Sequence, residues 1–499
     1  MLIGAGKIEK LKGWLLDELY QKKLQSTTGF ILLLVMSILT TFIITKTPST
    51  FGLFIIGGLV GCLVLILAFV DSFFALTLAI IVSIVGNPIH KYLLRPIPFG
   101  VLVDVLIMIN FIGCISMQLR EKRWNTKTIM HPVTFVQIIF TLYMMLQFFN
   151  TNMHSHQGYF GVARRIPVFL AVYFIAIYNL NNIKFLKKFI VFWLVVALIT
   201  AFYAFYQEFA GITNYELRYY NSNEKALKLV FIGGRFRKFS FFNDPTSFGI
   251  FMAISGLLFM VLSMGPFKTR IKIGLFISSL IMFIAMAFSG TRTAYAIVPI
   301  GIVIFALMTI THKRTLIIAS FFTVVMAVIL YGPFYGNRTI NRIRSTFKFS
   351  EDASLNVRDV NRAFIQPYIY EHPFGGGVAT SGVPGKIFNP NHYLAGFPPD
   401  SAYLQTAMEL GWIGLFLMLL VAYVNMRTTI KGYYRSYDPK IKTYYLSFAT
   451  VIFTIIVAQY AQYALSFTNR LFYMILLACI VKLIDFDKKP DSIEPQPSQ

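Results

Sequence analysis

The chain has 499 residues and a formal net charge of +24, with 56% hydrophobic, 16% aromatic and only 13% charged residues. Its mean hydropathy is +0.65. A soluble core of this length does not need so much apolar sequence, whereas repeated bilayer spans do, so soluble, disordered and disulfide-scaffold classes are excluded. The three cysteines, Cys62, Cys114 and Cys479, all lie inside apolar runs, which leaves no disulfide framework and no CxxC metal site.

The opening stretch, "MLIGAGKIEKLKGWLLDELYQKK", carries no small-residue cleavage site. It reads as a basic amphipathic segment on a membrane surface, residues 1–27. From residue 28 to 333 come eleven apolar runs, near 28–45, 50–70, 72–87, 99–118, 133–150, 166–180, 187–209, 245–263, 271–288, 293–311 and 315–333. Residues 51–87 form one apolar run broken only by Asp71. At about 1.5 Å per residue that is too long for one crossing, so two short helices with a tight turn are expected. A polar segment, 334–400, follows, then three more runs at 402–424, 443–463 and 469–484, and a polar, Pro-rich tail at 485–499 expected to be disordered. The predicted fold is an all-α polytopic membrane protein with about 14 transmembrane helices and one large extracytoplasmic loop late in the chain.

Lysine and arginine placement sets the orientation. With a cytoplasmic N-terminus, the inner segments hold 19 Lys and 6 Arg, and the outer segments hold 7 Lys and 13 Arg. Lysine suffices as a topology signal. Arginine gathered on the outer face calls for another reason, because its planar fork binds phosphate bidentately and an ammonium cannot.

Three stretches could carry chemistry. In "GGRFRKFSFFNDPTSFGIF", Asp244 is placed to cap a helix and Pro245 to open it, with Arg235, Arg237 and Lys238 just upstream. This is either an ordinary basic loop or an anion clamp at a helix N-terminus. In "AFSGTRTAYAIV", Gly290 can close one helix and Thr291 cap the next. Arg292 then falls in a first helical turn, where the dipole disfavours a cation. The large loop carries Arg338, Arg342, Arg344, Arg358 and Arg362, then "YEHPFGGGVATSG" and "FNPNHYLAGFPPD". Glycines 375–377 allow tight backbone close to a ligand. Asp400 sits at the mouth of the next helix, where a carboxylate is a favoured N-cap and is also well placed as a base at a membrane-surface site. His392 is the other candidate base. The outer loops contain no HExxH, no DxD and no dense carboxylate cluster, and there is no P-loop context for a nucleotide, so no metal, cofactor or nucleic-acid partner is expected. A reaction on the outer face has no ATP, so its energy must come with the substrate. A lipid-diphosphate donor fits, held by arginines and seated between helices.

These stretches resemble the O-antigen ligase and O-antigen polymerase superfamily of bacterial membrane glycosyltransferases. The matching segments are "RFRKFSFFNDPTSFG", "FSGTRTAYA", "VRDVNRAFIQPYIYEHPFGGGVATSG" and "DSAYLQTAMELGWIGL", across roughly residues 235–425. The resemblance implies a multi-pass protein of the bacterial cytoplasmic (inner) membrane. Its substrates would be an undecaprenyl-diphosphate-linked glycan donor and a glycan or lipid-linked acceptor, and its active site would lie outside. It makes Arg235 or Arg237 and Arg292 diphosphate ligands, and puts Arg358 where the family has an arginine leading into the loop helix. Family ligases usually carry a histidine where this chain has Asp400, and some polysaccharide polymerases carry an acidic residue there, which favours polymerase over ligase. An O-linked protein glycosyltransferase belongs to the ligase group and stays open. A lipid-linked glycan flippase is the alternative of another class. It calls for two related halves and charges lining the helices, whereas here the charges sit at outer helix ends.

Overall fold

The computed structural model describes residues 31, 34–35, 37–38, 41, 49–93, 98–121, 129–232, 234–311, 313–347, 353–399 and 401–487. The segment expected to be amphipathic, most of the first apolar run, nearly all of the tail and Asp400 lie outside the described residues.

The protein is an all-α polytopic membrane protein. Among the described residues, ten helical spans are long and apolar enough to cross a membrane, and shorter apolar helices lie at Val60–Val70, Arg292–Met308 and Thr315–Tyr331. In chain order the helices begin with α1 (Ser49–Val70), α2 (Ser72–Leu93), α3 (Phe99–Glu121), α4 (Pro132–Leu146), α5 (His156–Ala163), α6 (Arg165–Asn179) and α7 (Ile183–Phe209). After α7 the chain forms α8 (Asn214–Ser222), α9 (Glu224–Val230) and a two-residue antiparallel ribbon, β1 (Phe231–Ile232) with β2 (Arg235–Phe236). Then come α10 (Pro245–Ser263), α11 (Thr269–Phe288), α12 (Arg292–Met308) and α13 (Lys313–Tyr331). The large loop holds α14 (Arg338–Thr346), α15 (Ala353–Glu371) and α16 (Gly382–Phe388), and the chain closes on α17 (Ala402–Arg435), α18 (Pro439–Ala461) and α19 (Phe467–Lys482).

Asp71 breaks the long apolar run as the sequence predicts. Its Oδ1 accepts from the backbone N–H groups of Phe73 and Phe74 at 2.9 and 3.1 Å, which starts α2. The short run at 166–180 gains its length from α5, and together His156–Asn179 make one span.

The helices fall into two compact units. The smaller comprises residues 1–79 and 105–123. Within it Asn110 Nδ2 donates to Ala68 O at 2.5 Å, Ser72 Oγ lies 3.2 Å from Cys114 Sγ, and both contacts are buried. The larger unit comprises residues 80–104 and 124–499. Its centre is α10, buried over 89% of its apolar window, whereas α11 is buried over only 28%. The second value marks a helix with a wide face left for lipid. Helix α10 lies against α7, α11, α12 and α18. Two short polar links join it to its neighbours, Trp193 Nε1 to Ser255 Oγ at 2.8 Å and Ser279 Oγ to Gly256 O at 2.7 Å. In a medium without water such internal partners are what buried polar groups require.

Candidate functional site

The start of α10 forms as its sequence dictates. Asp244 accepts from Thr246 N and Ser247 N, both at 2.9 Å, and Pro245 occupies the first turn. Helix α11 ends at Ser289, and Gly290 takes φ +60°, the left-handed conformation that closes a helix cheaply only for glycine. Thr291 is the N-cap residue of α12, but its hydroxyl does not cap. It donates to Pro245 O at 3.0 Å and accepts from Arg237 Nη2 at 2.9 Å. The turn that separates α11 from α12 is thereby tied to the start of α10.

Arg237 is committed to this turn. Its Nε donates to Ser289 O at 2.9 Å and its Nη1 to Leu229 O at 3.3 Å, besides the bond to Thr291. Arg342, from α14, donates Nε to Gly290 O at 2.6 Å. Burial pushes the Arg237 guanidinium down to about 10, helped by the neighbouring charge of Arg342. Burial and the nearby charge of Arg292 also lower Arg342. Arg235 pairs with Glu208 and donates to Thr339 Oγ1 at 3.0 Å. Lys238 stands 3.6 Å from the same carboxylate, and burial, with Arg235 beside it, pushes its ammonium down to about 8. Glu208 thus holds Arg235 and Lys238, while Arg237 and Arg342 gather at the neighbouring turn with Arg292 close to Arg342. Asp244 is spent on its helix. A cluster so rich in cations favours a bound anion.

The second assembly is a broken helix clamped by the glycine loop. Gly411 interrupts α17 with φ +66° and ψ −165°, a combination open to glycine alone. The break frees backbone groups, and residues 373–377 bind them. Trp412 N donates to Pro373 O at 2.8 Å, Gly376 N to Met408 O at 2.8 Å, and Gly377 N to Glu409 O at 2.9 Å. Tyr143 OH takes the carbonyl of Leu410 at 2.7 Å. The fit leaves no room for side chains, since a Cβ on Gly375 would lie 2.5 Å from the Glu409 carbonyl carbon. Non-helical backbone at membrane depth survives only with partners of this kind.

Glu409 completes the clamp with its side chain. The carboxylate is buried and accepts from Ser381 Oγ at 2.5 Å and from Ala379 N and Ser381 N, both at 3.3 Å. Ala379 has φ +62°, a left-handed conformation that costs a non-glycine residue about 1–3 kcal/mol, and Glu409 holds it there. Sequence reasoning missed Glu409, treating "ELGW" only as part of a family pattern. The available signal was a lone carboxylate inside an apolar run.

The sequence-predicted residues are distributed as follows. Arg237 and Arg292 meet at the Ser289–Arg292 turn, joined by Arg342, which the sequence had left among ordinary loop arginines. Arg235 belongs to the same cluster but is held by Glu208 and Thr339. Arg358 is half-buried on α15, and no hydrogen bond or ion pair among the described residues joins it to the turn. His392 is buried against the glycine loop, where a Cβ on Gly376 would lie 2.7 Å from its ring. Its Nδ1 accepts from Leu394 N at 3.1 Å. Burial lowers its pKa, with His154 and His372 adding to the effect. The capping role foreseen for Asp400 falls to its neighbour. Ser401 is the N-cap of α17, and its Oγ accepts from Leu404 N at 3.0 Å.

The bundle and its arginine turn define a polytopic membrane protein with cations concentrated at helix ends. The O-antigen ligase family model matches residues 277–419, in agreement with the resemblance read from the sequence. That segment begins inside α11 and ends inside α17, so it takes in Arg292, Arg342, the glycine loop and the break at Gly411. Arg235 and Arg237 lie outside it. None of the curated proteins matches the chain.

Proposed function

We propose that the protein transfers a glycan from an undecaprenyl-diphosphate donor on the extracytoplasmic face of the bacterial cytoplasmic membrane, in surface polysaccharide biosynthesis. The observation that carries the reading is the cation cluster at the Ser289–Arg292 turn, whose turn, Arg292 and Arg342 lie within the segment that matches O-antigen ligases. Arg292 and Arg342 hold the diphosphate. Arg237, with three protein acceptors already engaged, positions the turn instead of binding the donor. An acceptor hydroxyl attacks the anomeric carbon with inversion, its proton passes to Asp400, and the bond to the phosphate oxygen breaks. Undecaprenyl diphosphate leaves with its negative charge stabilised by the guanidinium groups, without metal. Asp400 stands where family ligases have histidine, which favours the polymerase type. The family matched is that of the ligases, and this supports ligase as the second reading. Purified protein given only lipid-linked repeat units should lengthen them. Product that forms only after a distinct acceptor is added would establish ligase.

Arg292→Lys keeps the charge but removes the bidentate fork. Transfer should fall roughly tenfold to a hundredfold, the equivalent of about 1.5–3 kcal/mol. Wild-type rates at equal membrane abundance would show that Arg292 is structural.

Orientation is testable with an impermeant thiol reagent in intact cells, on a background lacking the exposed Cys62. Val360 is 68% exposed on α15 and Tyr437 is 55% exposed between α17 and α18. A cysteine at Val360 should label and one at Tyr437 should not. The opposite pattern would invert the topology.

A further inference from the structure

Arg165 and Arg470 form a second cationic pair, made of residues outside the cluster at the Ser289–Arg292 turn. Each reaches across to a ring on the opposite helix. The Arg165 guanidinium lies 5.0 Å from the Phe467 ring centre, and that of Arg470 lies 4.9 Å from Phe169. Arg470 also donates Nη2 to Tyr463 OH at 2.7 Å. Arg164, next to Arg165, has Asp104 at 3.6 Å, but among the described residues neither Arg165 nor Arg470 has a carboxylate within ion-pair distance. Among the described residues the buried Nε of Arg165 has no hydrogen-bond partner. Arg470 stands in the first turn of α19, where the dipole disfavours a cation. Asp104 acts on Arg165 only from beyond ion-pair distance, so the two neighbouring cations still favour a bound anion.

Their position specifies the anion. A cavity of about 330 Å³ opens between α4, α6, α17, α18 and α19 and takes both arginines into its wall. Apart from these and Glu409, whose oxygens are engaged by the glycine loop, its wall is mostly apolar, with Phe140, Met144, Leu170, Met418 and Ile456 among its members. A second cavity of about 410 Å³ shares Arg165 and Phe467 with the first. Its wall is the more polar of the two and includes Asn87, His90, Asp244 and Ser466. Ser466 Oγ, like Arg165 Nε, is buried without a partner among the described residues. Arg165 therefore stands where a polar chamber meets an apolar one of ligand-pocket size.

We infer that this junction binds a lipid phosphate: its phosphate or diphosphate on Arg165 and Arg470, its chain in the apolar cavity and a polar substituent in the other. The site does not depend on the glycan-transfer reading. Its assignment to the lipid-linked acceptor does rest on that reading, because the donor occupies Arg292.

The test uses the full chain in detergent, carrying Arg292→Lys so that the first cluster is weakened, with farnesyl diphosphate, inorganic diphosphate and farnesol as calorimetric probes. Farnesyl diphosphate should bind at least tenfold tighter than either fragment. Arg165→Gln with Arg470→Gln should weaken it tenfold or more. Ala422→Trp, which fills the apolar cavity and leaves every charge in place, should weaken farnesyl diphosphate but not inorganic diphosphate. Unchanged farnesyl diphosphate affinity in the double variant overturns the inference. If that variant does not fold, unchanged affinity in Ala422→Trp overturns it equally. Equal affinity for inorganic and farnesyl diphosphate would mean a free-anion site only. If the wild type transfers no glycan but the variants lose farnesyl diphosphate as expected, the function fails and the site stands.

Discussion

Gly411→Ala should leave the protein severely destabilised, with little of it surviving detergent extraction. A Cβ at this position would lie 1.9 Å from Pro373 O, a backbone atom that cannot swing aside. The φ of +66° with ψ of −165° is itself a conformation that alanine resists. To relieve both, the chain must give up the bond from Trp412 N to Pro373 O and pull the glycine loop off Met408 and Glu409. Strain of about 1–3 kcal/mol, added to about 1–3 kcal/mol for each buried backbone group left unpaired, exceeds much of the stability of an ordinary fold. Gly274→Ala is the control, because nothing lies within 4 Å of a Cβ there and the residue sits inside α11. Thermal unfolding in detergent should separate the two variants clearly. A Gly411→Ala protein that melts with the wild type would show that the helix break is not clamped.

Asp400→Asn should assemble normally and lose transfer by on the order of a hundredfold, the scale of a missing general base. Ser401 already supplies the cap of α17, so replacing Asp400 does not remove it. Asn and Ala at 400 should therefore behave alike: both insert, and both fail to extend lipid-linked glycan. Ser401→Ala supplies the contrast, losing about 1 kcal/mol of stability through the cap. The assay is transfer from purified undecaprenyl-diphosphate glycan in detergent with chelator present. An active Asn variant sinks the proposed role of Asp400. Loss of wild-type transfer on adding chelator would remove the metal-independent reading.

Several elements were legible because their causes are local. Asp71 splits an apolar run by accepting from residues two and three positions on. Asp244 and Pro245 open α10, and Gly290 closes α11, each through backbone geometry confined to a single turn. Hydropathy over some twenty residues marks a span whatever its neighbours are, because lipid asks the same of every helix.

The clamp and the arginine roles were not legible, for the opposite reason. Residues 402–424 read as one apolar run, and "ELGW" does not show that Gly411 breaks the helix. The break is stable only because residues 373–377 supply its hydrogen bonds. Glu409 and Ser381 are 28 positions apart, and Arg237 and Ser289 are 52 apart. Sequence alone offered Arg235 or Arg237, together with Arg292, as the diphosphate ligands and did not separate the first two. The tertiary structure assigned Arg237 to the turn and Arg235 to Glu208, and it brought Arg342 in from a loop where it had no distinguishing feature. Composition and local pattern determined that the chain crosses the membrane many times and where some of its helices begin, as at Asp71 and Asp244. Which guanidinium groups are spent on protein oxygens was decided only when distant segments met, because a hydrogen bond depends on separation in space and not on spacing along the chain.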